Sequence, residues 1–115
     1  MPLTPIPCTT ADEVAPFLAS MAAGLIYKHS FSCDLSAMAM DEVAALTAAH
    51  PDIPIWLVDV IRQRSLSRTI ESVTGIQHES PQALLIRDGA VAWNASHRRV
   101  TQRALADAWT AGRPA

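Results

Sequence analysis

Apolar and polar positions along the chain follow two rhythms, and each predicts a different kind of element. Val14, Phe17, Leu18 and Met21 recur at i, i+3, i+4 and i+7, the spacing of one helix face. Thr10-Ala-Asp-Glu13 ahead of them has the form of a capping box. The pattern predicts a helix to about Ala22, with Pro16 in its first turn, where the missing N–H is harmless. Leu35, Ala39, Val43 and Leu46 make a second stripe, with Ser32 as its N-cap, Asp34 in its first turn and His50-Pro51-Asp52 as its stop. Leu66, Ile70 and Val73 make a third, capped by Ser65 or Ser67 and ended by Gly75. Leu105, Ala108 and Trp109 make a fourth, capped by Thr101 and stopped by Gly112 and Pro114. Between these stripes lie a short apolar run at 24–27 that reads as a strand continuing to His29, a near-continuous apolar run at 55–60 with the pattern of a strand covered on both faces, and a further short run at 83–86. Asp88-Gly89 is a two-residue hairpin signal, and 90–95 reads as the return strand. Residues 1–9, punctuated by Pro2, Pro5 and Pro7, read as an extended lead-in.

The predicted order is α-β-α-β-α-β-β-α. A helix between two buried strands implies a parallel, right-handed βαβ unit, and the Asp-Gly turn adds an antiparallel hairpin. This is the thioredoxin-like arrangement: a three-layer α/β/α fold with a four-stranded mixed sheet and an extra N-terminal helix. A single domain over residues 1–115 is expected, a length that can bury a real core.

Composition narrows the function classes. A net charge of −2 gives no footprint for nucleic acid. No apolar run approaches membrane-span length, and Met1-Pro-Leu-Thr-Pro-Ile-Pro7 lacks the basic and apolar regions of a signal peptide, so a cytoplasmic protein is expected. Two cysteines 25 residues apart do not make a disulfide framework. A monomer or weak dimer without a bound cofactor is expected.

Cys33 carries the candidate chemistry. It falls at the turn between the first strand and the second helix, and unpaired N–H groups at a helix start stabilise a thiolate. No Cys follows three residues later; Ser36 stands there. Cys8, the other thiol, lies in the lead-in; it could serve as a resolving thiol, but reads better as an incidental residue of a mobile terminus. The strand directions bring Cys33, Arg62, Arg64, Ser80, Pro81, Ser96 and His97 to one sheet edge, where open α/β sheets bind ligands. His97 suits a thiolate or carboxylate partner, or a structural turn. Lys28, Arg62, Arg64, Arg98 and Arg99 suit an anionic ligand, or simple solvated charge, with Arg64 and Lys28 the stronger candidates. Cys33 with His29, His78 and His97 does not follow a metal-ligand spacing. Trp56, Trp93 and Trp109 are expected in the core.

Lys28-His29-Ser30, Cys33, Ser36, Leu57-Val58-Asp59-Val60, His78-Glu79-Ser80-Pro81-Gln82 and Ala95-Ser96-His97 together resemble the monothiol bacilliredoxin (YtxJ-like) family over roughly residues 10–110. The resemblance implies a monothiol thiol–disulfide oxidoreductase that removes bacillithiol, or a similar small thiol, from protein mixed disulfides. Cys33 is then the nucleophile, and a cis Pro81 with Ser80 shapes the substrate groove. His97, Arg64 and Lys28 become candidate contacts to the small thiol. Its expected partners are S-thiolated proteins and a low-molecular-weight thiol such as bacillithiol, the co-substrate, whose malate moiety is anionic. The family's usual Pro after the Cys is Asp34 here, and a carboxylate beside the sulfur opposes its ionisation. The alternative is the same fold used as a non-catalytic binding or stress-response module.

Overall fold

The computed structural model describes residues 3–32 and 34–111. Five strands form one mixed sheet in the order β1-β3-β2-β4-β5: β1 Thr4–Pro5, β2 Ala23–His29, β3 Ile55–Asp59, β4 Gln82–Arg87 and β5 Ala90–Ser96. The helices are α1 Val14–Ser20, α2 Asp34–Ala49, α3 Arg64–Thr74 and α4 Gln102–Thr110, with single 3-10 turns at Ala11–Glu13 and His97–Arg99. β2 pairs parallel with β3 and antiparallel with β4, so it is central and covered on both faces.

Strand alternation divides the interior into two layers. Leu25, Tyr27, Ala83 and Leu85 face α2 and α4, meeting Ala39, Val43, Leu46, Leu105 and Trp109. Ile26, Val58, Leu84 and Ile86 face the other way, meeting Val14 and Leu18 of α1 and Leu66 and Ile70 of α3. Arg87 ties α4 to the sheet by donating to the Trp109 and Ala111 carbonyls with its guanidinium over the Trp109 ring.

The expected four-stranded sheet gains a fifth strand. Thr4–Pro5 pairs parallel with Trp56–Leu57, and Ile6 N donates to the Leu57 carbonyl at 2.8 Å. Two residues between prolines carry no alternation to detect, and an edge strand tolerates Pro5 because its N–H is not required. The same ordering removes Cys8 from the mobile terminus where it was expected. Cys8 is only 3% exposed, packed on the α1/α3 side, with its Sγ 3.6 Å from the Glu13 carbonyl.

Helix starts differ more than helix bodies. The capping box forms: Glu13 Oε1 accepts from the backbone and hydroxyls of Thr9 and Thr10, which holds its carboxyl down at about 2. α2 begins at Asp34, so Ser32 lies too early to cap it; its hydroxyl instead meets Ser30 Oγ at 3.3 Å. Leu35 is only half-buried, and Ser36 takes the fully buried place beside Ala39 in the α2 face. α3 starts at Arg64, with Ser65 and Ser67 inside it, because Gln63 Oε1 accepts from Asp59 N at 2.9 Å and closes the preceding turn. Thr101 does cap α4, accepting from Ala104 N at 3.1 Å. Gly112 and Pro114 lie outside the described residues.

The β4–β5 turn has Asp88 at φ 51° and Gly89 at φ 78°, both in the left-handed region of a type I′ turn. A Cβ on Gly89 would also stand 3.0 Å from the Ala19 carbonyl oxygen. Gly89→Ala is therefore expected to destabilise the protein by about 2 kcal/mol, seen as a lower urea midpoint at unchanged m. Gly75, at φ 74° with open space around its Cβ position, should tolerate the same change better.

Candidate functional site

The carboxyl-terminal edge of β2 and β3 is where the candidate residues gather. Cys33 lies outside the described residues. Its neighbours in sequence do not: Ser32 is an exposed turn residue, and Asp34 is the exposed first residue of α2. Ser36, where a dithiol enzyme would carry its second sulfur, is fully buried, and its Oγ accepts from Ser30 N at 3.3 Å. That bond fastens the first turn of α2 to the end of β2. Tyr27 adds a second tie, its hydroxyl donating to the Ser36 carbonyl at 3.4 Å and meeting His29 Nδ1 at 2.9 Å. The His29 ring is buried, which pushes its pKa down, and Phe31 packs edge-on against it at 4.2 Å while remaining 66% exposed.

The Gln77–Gln82 segment crosses the same edge and is held from several elements. The Ser80–Pro81 peptide bond is cis, with Pro81 buried and Ser80 half-buried. Gln82 Nε2 donates to the Gln77 carbonyl at 2.9 Å, and His97 N donates to the Pro81 carbonyl at 2.8 Å. Glu79 joins this segment to β5: Ser96 Oγ donates to its Oε1, and His97 Nε2 lies 3.6 Å from its Oε2. The Ser96 hydrogen bond, followed by the His97 charge, pulls the Glu79 carboxyl down. His97 itself has φ 56°, rare for a residue with a side chain, and its imidazole is about half exposed. His97 and Arg98 line two adjoining depressions of 430 and 380 Å³ that also share Leu35. The topology thus brings His97 beside the first turn of α2.

Lys28 is placed differently from expectation. It does not reach the surface: its side chain is fully buried on the α3 face of β2, in step with Ile26. Its Nζ lies 3.1 Å from His78 Nδ1, which also meets Ser67 Oγ at 3.0 Å, and His78 N donates to Glu71 Oε2 at 2.7 Å. Burial lowers the Lys28 pKa to about 8 despite the Glu71 charge, and burial followed by the Lys28 charge lowers that of His78. Arg64 and Arg62 lie exposed at the β3–α3 connection, with Arg62 4.0 Å from Asp59. Glu71 went unsingled in the sequence, Ser67 was read only as a helix cap, and Glu79 only as part of the His78–Gln82 stretch. The available signal was the density of polar residues around Pro81, which in a covered strand edge must find one another.

No group of three or more His, Cys, Asp or Glu among the described residues could hold a metal ion, and no described helix is long and apolar enough to cross a membrane. Residues 6–105 match the family described as monothiol bacilliredoxin BrxC. The chain belongs to that family. Its chemistry is thiol redox, with proteins and thiols as the class of partner. A solved structure described as a candidate oxidoreductase with a thioredoxin fold is similar at 29% identity and TM-score 0.77, covering 88% of this chain and 89% of its own. Fasciola hepatica thioredoxin is 18% identical with TM-score 0.69, covering 98% and 100%. Mitochondrial thioredoxin 3 from Saccharomyces cerevisiae is 19% identical with TM-score 0.68, covering 93% and 92%. These two carry the fold only.

Proposed function

We propose that the chain is a monothiol oxidoreductase that removes bacillithiol, or a small thiol of the same kind, from protein mixed disulfides through Cys33. The supporting observation is the fate of the other positions that could hold a second sulfur. Ser36 has none, and Cys8 is enclosed on the α1/α3 side, where burial and the Glu13 charge push its thiol pKa up. One accessible route remains. The Cys33 thiolate attacks the small-thiol sulfur of protein–S–S–R; the S–S bond breaks, and the protein thiolate leaves and takes a proton. A second R–SH, as its thiolate, attacks the Cys33–S–S–R intermediate, releasing R–S–S–R and restoring Cys33. Ser80, Pro81 and His97 border the groove for the mixed disulfide, and the protein substrates are S-thiolated proteins.

Asp34 is the departure from the family pattern that this reading must accommodate. Its carboxylate follows the nucleophile and opposes thiolate formation, while the start of α2 favours it. Asp34→Pro is expected to move the Cys33 titration to lower pH and raise exchange at neutral pH by about threefold. The check is iodoacetamide alkylation against pH, together with release of bacillithiol from a labelled mixed disulfide. A wild-type chain that releases no bacillithiol, with a Cys33 thiol no more acidic than a free cysteine, supports the non-catalytic binding module instead.

A further inference from the structure

We propose that a cavity of about 200 Å³ at the start of α3, lined by Val60, Ile61, Arg64, Ser67, Arg68 and His78, is a carboxylate site that holds an acidic arm of the small thiol. This rests on the small-thiol exchange proposed above and adds to it how the thiol is recognised. The polar side chains of the lining are all donors. Arg64 and Arg68 stand one helical turn apart and share no ion pair with any described residue. No carboxylate lines the cavity. Carboxylates on the neighbouring segments are engaged elsewhere: Glu71 accepts from His78 N, Asp59 from Ile61 N and Arg62 N, and Glu79 from Ser96 Oγ.

Buried Lys28 sets the third donor. An ammonium and a hydroxyl, Lys28 Nζ and Ser67 Oγ, both face the single lone pair of His78 Nδ1. The neutral ring therefore carries its proton on Nε2, a donor with no partner among the described residues. A small cavity lined by two arginines and a histidine with a free donor matches the acceptor-only chemistry of a carboxylate. A broader, shallow depression of about 610 Å³ along α3 adjoins the cavity and shares Arg64 and Arg68 with it, leaving room for the rest of an elongated ligand. It also borders the sheet edge already described, since Val60 N donates to the His29 carbonyl at 3.0 Å.

The test compares two mixed disulfides of one carrier protein, one with bacillithiol and one with uncharged 2-mercaptoethanol. In the Arg64→Gln/Arg68→Gln variant, the ratio of kcat/KM for bacillithiol to that for 2-mercaptoethanol is expected to fall at least tenfold, through KM. An unchanged ratio overturns the site. If the wild type releases neither thiol, the exchange reading fails, and the site is judged by titrating the protein with succinate while following the His78 ring by NMR. Saturable shifts that the double variant abolishes support it; their absence overturns it. Tighter binding of inorganic phosphate than of succinate at the same resonances overturns the carboxylate assignment.

Discussion

Cys33→Ser is expected to abolish exchange, by ~10³-fold or more, while Cys8→Ser leaves it within about twofold of wild type. The asymmetry follows from where each sulfur sits. Exchange needs an ionised, accessible sulfur that can align with the disulfide it attacks. Cys8 meets none of these conditions: it is 3% exposed, packed beside Val14 and Leu66, with the Glu13 carboxylate raising its pKa further. Cys33 follows an exposed turn and precedes an exposed helix start, and the surrounding tethers are in place without it: Ser36 to Ser30, and Tyr27 to Ser36. A serine there should keep the fold and remove only the chemistry. The measurement is release of labelled thiol from a protein mixed disulfide, with circular dichroism and urea unfolding confirming that both variants fold. Activity surviving Cys33→Ser and lost in Cys8→Ser would overturn Cys33 as the nucleophile and assign that role to Cys8. Cys8→Ser should nonetheless lower stability by about 1–3 kcal/mol, because it places a hydroxyl among apolar side chains. The two variants therefore separate in opposite directions, one losing function and the other losing stability.

The fold was legible in the chain because long periodic segments met clear stops. Each of the four helix stripes and the Asp88-Gly89 turn corresponds to an observed element, and Gly75 ends α3 in the left-handed conformation. What escaped the pattern was short or depended on partners distant in sequence. β1 is two residues long and exists only because β3 offers it an edge. The start of α3 depends on Gln63 reaching back to Asp59, a side-chain choice that cap preferences do not encode. Ser36 was readable as the absence of a second cysteine but not as a buried tie to Ser30.

The site divides along the same line. Strand direction alone placed Pro81 and His97 at the sheet edge, and Leu35 with His97 lines one depression there. Lys28 misled because a lysine reads as surface charge. Yet β2 has sheet neighbours on both sides and helices on both faces, so a residue inside it has no route to water. A lysine inside a strand covered on both faces is itself the sequence signal for a buried polar network.

Lys28→Met should therefore stabilise the protein at pH 7, by about 1–3 kcal/mol, and remove a rise in stability that the wild type shows between about pH 8 and 10.5. The Lys28 pKa falls from its ordinary 10.5 to about 8 on folding, chiefly through burial. Between those values the unfolded chain binds more protons than the folded one, so stability climbs with pH. Below about 8 lysine is charged in both states, and the full penalty, of order 3 kcal/mol, persists. Methionine fills a similar volume without a charge and leaves Ser67 Oγ to donate to His78 Nδ1. Urea unfolding of wild type and variant across pH 7 to 10.5 isolates this group, since His78, whose titration Lys28 also shifts, is pushed by its own burial below its ordinary 6.5. The stability difference should shrink as pH rises and nearly close at the upper limit. A difference constant with pH would mean that Lys28 ionises in the folded protein as it does in water. Exchange should fall severalfold in the same variant, because the carboxylate site beside His78 loses the charge of the Lys28 ammonium, while Ser67 keeps the ring in the same tautomer. A more stable but slower protein is the result expected of a residue kept for its chemistry at a cost in stability.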